Sequence, residues 1–231
     1  MTIKENIEKV KGEIAAAARG CGRDPEEILL VAVSKTRTPE EIDEAIDAGI
    51  EDIGENKVQE ILDKYDHVKP VRFHMIGHLQ TNKVKYIIDK AALIHSVDSL
   101  KLALEIQKQA EKHGRTAEVL VQVNAAEEES KFGVTAGDAE GLIKSILESC
   151  ENIRLRGLMH IAPFAEDPED VRIYFRQVKE LYDRCARTDH PRLEFTWLSM
   201  GMSHDFRVAI EEGANLVRVG TAIFGERNYQ K

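Results

Sequence analysis

The chain has 231 residues, 42% hydrophobic and 32% charged, with 32 Lys+Arg against 41 Asp+Glu and a formal net charge of −9. That is enough apolar material for a sizeable core, while the negative balance excludes a non-specific nucleic-acid binder, which needs a basic face to neutralise phosphates. No apolar run approaches the ~20 residues of a membrane span, so a membrane-spanning helix is not expected.

The opening stretch, MTIKENIEKVKGEIAAAARG, is charged and helical in period, and it carries no secretory h-region. Short apolar runs then alternate with longer amphipathic segments. The runs are ILLVAVS (28–34), a weak DIG (52–54), VRFHMIG (71–77), ALIHSV (92–97), AEVLVQVN (117–124), IRLRGLMHI (153–161), LEFTWLS (193–199) and NLVRVG (215–220). Several are rich in Val, Ile and Leu without clean alternation, as parallel strands buried on both faces require. Between them, 38–49 predicts a helix with Thr38 as N-cap, Pro39 at its first position and Gly49 as terminator. The stretch 98–114 predicts another, from an Asp98 cap to Gly114, and 168–187 places Val171, Tyr174, Phe175, Val178, Leu181 and Tyr182 at helical spacing for the core.

Eight strands with a helix after each of the first seven predict a single-domain (β/α)8 TIM barrel over 1–231. The chain ends some ten residues after the last strand, so the N-terminal helix is expected to complete the helical ring. A doubly wound open sheet is the rival, but no GxGxxG follows the first strand. Cys21, Cys150 and Cys185 are scattered and outside CxxC spacing, which suits reduced thiols in a cytoplasm and offers no zinc site.

The carboxyl ends of barrel strands converge on one face and carry the site. Those ends supply Lys35, then GENK (54–57), then His74 with GHLQTNK (77–83). They go on to Asn124 with ESKFG (129–133), His160, SMGMSHD (199–205) and RVGTAIFG (218–225). Lys35 alone allows two readings. Its ammonium reaches solvent or a carboxylate, or partial burial frees the amine as a nucleophile toward an aldehyde. SMGMS and RVGT combine glycines, which let backbone N–H groups approach an anion, with hydroxyl donors, above all if a short helix begins at Ser203 or Thr221. An amine facing such a cradle suits pyridoxal 5′-phosphate (PLP). His74 and His78 are four apart, but FHMIGH reads as a strand entering a glycine turn, so structural histidines are expected rather than a metal pair. Lys131 approaches a ligand carboxylate or is loop surface, and it is left outside the site.

VAVSKT, GENKVQE, FHMIGHLQTNK, SKFG, RGLMHI, LSMGMSHDF and VRVGTAIFG together resemble the pyridoxal 5′-phosphate homeostasis proteins of the YggS/PROSC type, from about residue 28 to 226. The resemblance implies an alanine-racemase-like barrel, fold type III among PLP proteins. It implies that PLP is held as a lysine aldimine, with a part in intracellular vitamin B6 and amino-acid homeostasis as carrier or regulator. No catalytic turnover, and so no catalytic residue, comes with it. By position it assigns Lys35 to the aldimine, Ser199, Gly220 and Thr221 to the phosphate, Arg218 to the pyridine nitrogen and Asn56 to a place beside the cofactor. PLP-dependent apo-enzymes are the implied recipients, with neither nucleic acid nor membrane as a partner, and a monomer is expected. A PLP-dependent amino-acid racemase is the alternative function, and an aldolase using Lys35 without PLP a further one.

Overall fold

The computed structural model describes residues 2–128 and 130–226. An opening helix α1 (Ile3–Gly20) is held by a reciprocal capping box between Thr2 and Glu5. There follow β1 (Leu29–Val33), α2 (Pro39–Asp47), β2 (Asp52–Glu55), α3 (Val58–Tyr65), β3 (Arg72–Met75) and β4 (Ala91–Val97). Next come α4 (Leu100–Lys112), β5 (Ala117–Val123), α5 (Ala136–Ser149), β6 (Ile153–His160) and α6 (Arg172–Cys185). The last elements are β7 (Leu193–Ser199), α7 (Phe206–Glu211), β8 (Leu216–Val219) and a one-turn α8 (Thr221–Phe224). The eight strands pair in chain order as a closed parallel barrel, sealed by β1 against β8 with Leu29 opposite Leu216 and Val31 opposite Arg218. This is the TIM barrel that the alternation of runs predicts.

Three local expectations are corrected. β3 is followed not by an α-helix but by a 3₁₀ segment, Thr81–Tyr86, in which Val84 is the buried residue. Residues 76–80 are irregular, and the single buried side chain of TNKVKY, Val84, cannot give an α-helix a face. The cap of α4 is Ser99, whose Oγ accepts the Leu102 N–H, rather than Asp98. The last strand does lead into helix, the single turn α8.

α1 packs on α2, α7 and α8 and so closes the ring. Asn6 donates its Nδ2 to the Ile223 carbonyl at 2.8 Å, and Arg23 reaches the Ile210 and Ala214 carbonyls at 2.9 and 2.7 Å. Most of the core lies between the sheet and the helices. Inside the barrel there is a smaller cluster of Val31, Leu93, Leu120, Met159 and Leu216. Side chains alternate along a strand, so two residues beyond Leu93 and Leu216 the interior receives His95 and Arg218. β2 turns Gly54 inward, where a Cβ would lie 2.9 Å from Ile76 Cδ1 and 3.1 Å from Val31 Cγ1.

Candidate functional site

Lys35 stands half-buried two residues beyond β1, in a turn whose next residue, Thr36, has φ of 65°. A left-handed β-branched residue is uncommon and must be over-determined by its surroundings. The restraint comes from Lys64 on α3, itself buried, whose Nζ donates to the Ser34 carbonyl (2.9 Å), Glu55 Oε1 (2.7 Å) and Glu60 Oε2 (2.9 Å). Ser34 Oγ donates to the same Glu55 oxygen at 2.6 Å, and the Thr36 N–H donates to Glu60 at 2.5 Å. One buried ion cluster therefore grips the chain on both sides of Lys35. Burial pushes the Glu55 carboxyl up to about 7 against the pull of Lys64 and Ser34. Glu60 is also penalised by burial, yet the Thr36 N–H and Lys64 hold it below the ordinary range.

Lys35, Arg218, Gly220 and Thr221 open onto one cavity of about 240 Å³ at the carboxyl ends of β1 and β8, with Met202, Ser203 and His204 on its far wall. Arg218 is buried, donating Nη1 to Ser199 Oγ at 2.5 Å and Nη2 to the His160 carbonyl at 2.9 Å. Burial pulls its guanidinium down to about 10, so it remains a cation at neutral pH. Ser203 Oγ sits 3.3 Å from the Gly220 N–H and 3.4 Å from the Ala222 N–H, so a hydroxyl and the first amides of α8 converge at one end of the cavity. Gly220 lies against Val33, where a Cβ would fall 3.2 Å from the Val33 carbonyl oxygen.

Two expected residues stand elsewhere. Ser199 does not line the cavity: as the last residue of β7 it points into the barrel, fully buried, with its Oγ engaged by Arg218 and by His95 Nδ1 at 3.0 Å. The hydroxyl that SMGMS brings to the cavity is the second one, Ser203. The SMGMS loop turns through Gly201 at φ 93°, where a Cβ would crowd Phe206 and Ala209. Asn56 is half-buried just past β2, outside the residues lining the cavity, with its carbonyl against Gly77, where a Cβ would be 2.2 Å away.

His74 and His78 part company. His74 lies inside the barrel between Asp52 and His95, at 2.9 Å from each, while His78 stacks on Phe132 at the rim with centroids 3.7 Å apart. Lys131 binds the Ala162 carbonyl and Glu128, both at 3.0 Å, and Glu129 of ESKFG falls outside the described residues. His160 faces outward, its Nδ1 on the Val123 carbonyl and its ring edge-on to Phe175. Cys150 and Cys185 are buried and Cys21 exposed, all as free thiols. Among the described residues no group of three His, Cys, Asp or Glu could hold a metal, and no helix is long and apolar enough to cross a membrane.

An amine, a buried cation and a hydroxyl–amide cluster thus border one small cavity. Residues 5–228 match the family model for the alanine racemase N-terminal domain. The pyridoxal phosphate homeostasis protein of Aquifex aeolicus is 47% identical, over 99% of this chain and all of that one; its counterpart in Escherichia coli is 40% identical over 99% and 98%. Among solved structures, PipY of Synechococcus elongatus with PLP bound superposes with a TM-score of 0.83 at 30% identity, over 97% of this chain and all of PipY. An alanine racemase of Clostridium difficile shares the fold (TM-score 0.73, 14% identity), with 99% of this chain lying on 58% of that enzyme.

Proposed function

The chain belongs to the pyridoxal phosphate homeostasis proteins, within the alanine racemase N-terminal domain family, and on that premise we propose that it binds PLP at the barrel mouth as an intracellular carrier or regulator. One observation carries the reading: Lys35, Arg218, Ser203, Gly220 and Thr221 share a single cavity. In this proposal Lys35 supplies the amine that condenses with the aldehyde, losing water. The Ser203 hydroxyl and the backbone amides of Gly220 and Thr221 take the phosphate, and Asn56, which does not line the cavity, would border the ring only where the ring extends past that lining. When bound, PLP offers an electron sink through its pyridine ring. Arg218 is a fixed cation without a readily lost proton, so it holds that nitrogen unprotonated and the sink is weak. Ser199 acts here beneath the site through Arg218 rather than on the phosphate.

The proposal takes residues 1–231 as one cytoplasmic barrel domain, monomeric, serving PLP and amino-acid homeostasis and passing PLP to PLP-dependent apo-enzymes. The exposed side chains of Phe132, Phe164 and Met202 near the mouth support an open site from which a ligand can leave. The test is an absorbance spectrum of the purified protein with PLP, before and after borohydride reduction, with the tagged peptide located by mass spectrometry. A long-wavelength band that reduction removes, and a tag on Lys35, are expected. Lys35→Ala should lose the tag while retaining phosphate-dependent binding. A tag that persists on another lysine would reassign the amine, and no band at all would refute the reading.

A further inference from the structure

A line of polar side chains crosses the barrel interior and ends on Arg218. At the amino-terminal end Asp52 is gripped by Arg72, with Nε to Oδ1 at 2.7 Å and Nη2 to Oδ2 at 2.6 Å. Burial works against the Asp52 charge, but His74 and Arg72 prevail and hold its carboxyl below the ordinary range. Asp52 is therefore an acceptor only, and His74 Nε2 must donate to it across 2.9 Å. A neutral His74 then has Nδ1 free to accept from His95 Nε2–H at 2.9 Å. That assignment leaves His95 Nδ1 to accept from the Ser199 hydroxyl at 3.0 Å, and Ser199 Oγ to accept from Arg218 Nη1 at 2.5 Å. With two neutral imidazoles, every donor meets an acceptor in one direction alone, from the guanidinium down to the carboxylate. Burial, helped by the Arg218 cation, keeps His95 well below its usual range, which agrees with a neutral His95 ring.

This layer need not be polar for packing. The same interior holds Val31, Leu93, Leu120, Met159 and Leu216, and an apolar filling of similar volume commonly leaves stability unchanged or improved. What the chain does is hold a cation. Besides Ser199, Arg218 has the His160 carbonyl as an anchor, and a planar guanidinium fixed at two nitrogens keeps its remaining donors aimed. Hydrogen bonds in series also polarise one another, so the Asp52 carboxylate is felt at Ser199.

We propose that Asp52, His74, His95 and Ser199 form a positioning relay for Arg218, fixing how its guanidinium meets the ring nitrogen of bound PLP. The proposal rests on the PLP reading above. Two measurements test it. Imidazole ¹H–¹⁵N spectra of the ligand-free protein at neutral pH should show His74 and His95 neutral and protonated at Nε2. A cationic His95, or a ring protonated at Nδ1, would overturn the relay whatever the protein binds.

The second measurement follows PLP release by its absorbance band. Ser199→Ala should release PLP about tenfold faster, the worth of one hydrogen bond to a charged group, with a shifted band and an unchanged yield of borohydride tag on Lys35. His95→Asn should act in the same sense and serves if Ser199→Ala fails to fold. In an Arg218→Leu background, or Arg218→Lys if that is unstable, the Ser199 change should alter release less than twofold, because the relay then has no guanidinium to aim. Release and band equal to wild type, or an effect that persists in full without Arg218, would overturn the relay alone. Absence of any PLP band in the wild type would overturn the reading beneath it.

Discussion

Replacing Lys64 by Met tests whether the ion cluster under the Lys35 turn holds that turn in place. The change removes three donated hydrogen bonds, to the Ser34 carbonyl, Glu55 and Glu60, while keeping the apolar stem in the core. Glu55, whose side chain is fully buried, would keep the Ser34 hydroxyl and face Glu60 without the ammonium between them. Deleting one partner of a buried ion pair costs about 3–5 kcal/mol when the other must stay charged. Glu55 can escape by taking a proton. Its carboxyl already stands at about 7 in the wild type, raised by burial with Lys64 pulling the other way, and loss of Lys64 raises it further.

The sign follows from proton counts. A native carboxyl above its unfolded value binds more protons folded than unfolded, so its contribution to stability falls as pH rises through that window. In the wild type the window runs from the ordinary 4.5 to about 7; in Lys64→Met it extends higher. At pH 6 the variant should therefore lose appreciably less than at pH 8.5, because a protonated Glu55 is spared the cost of a buried unpaired charge. At pH 8.5 the loss should approach about 3–5 kcal/mol. Urea unfolding at both pH values measures this by linear extrapolation with an unchanged slope. Equal losses at the two pH values would refute the assignment of Glu55, and a loss under about 1 kcal/mol at pH 8.5 would refute the clamp.

Pyridoxal should bind on the order of 100-fold more weakly than its phosphate ester, given about 1.5–3 kcal/mol for each hydrogen bond to a charged oxygen. Ser203→Ala should narrow that gap while Ser199→Ala leaves it; equilibrium dialysis of both vitamers decides, and a gap unmoved by Ser203→Ala would remove the cradle. Gly157→Ala should yield little folded protein, because φ is 142° there and a Cβ would meet the Trp197 carbonyl at 1.8 Å; a thermal midpoint within a few degrees of wild type would show that β6 and β7 can part more cheaply than this packing allows. With Arg218 weakening the electron sink, incubation with L- or D-alanine and PLP in deuterated water should exchange the α-proton slowly, as read by NMR. Turnover near 1 per second or faster, an ordinary enzymatic rate, would instead favour the racemase reading.

Much of this protein is legible in its sequence because the relevant forces are local or periodic. Val- and Ile-rich runs between capped amphipathic segments demand strands buried on both faces. Eight of them in alternation leave a ring as the arrangement without open edges, and Lys35 is marked by standing where β1 must end. Local chemistry becomes ambiguous where two residues can do one job. Asp98 and Ser99 are both good caps, and it is the Ser99 hydroxyl that accepts the Leu102 N–H. Ser199 and Ser203 both belong to SMGMS, but strand parity sends the first inside the barrel and the turn at Gly201 carries the second to the cavity. Lys64 in the sequence is an ordinary lysine on an amphipathic helix; only the seating of α3 under the Lys35 turn makes it a clamp. The relay is further still from local rules. Its side chains come from β2, β3, β4, β7 and β8, and each acquires its partner when the ring closes and brings distant strands face to face across the interior.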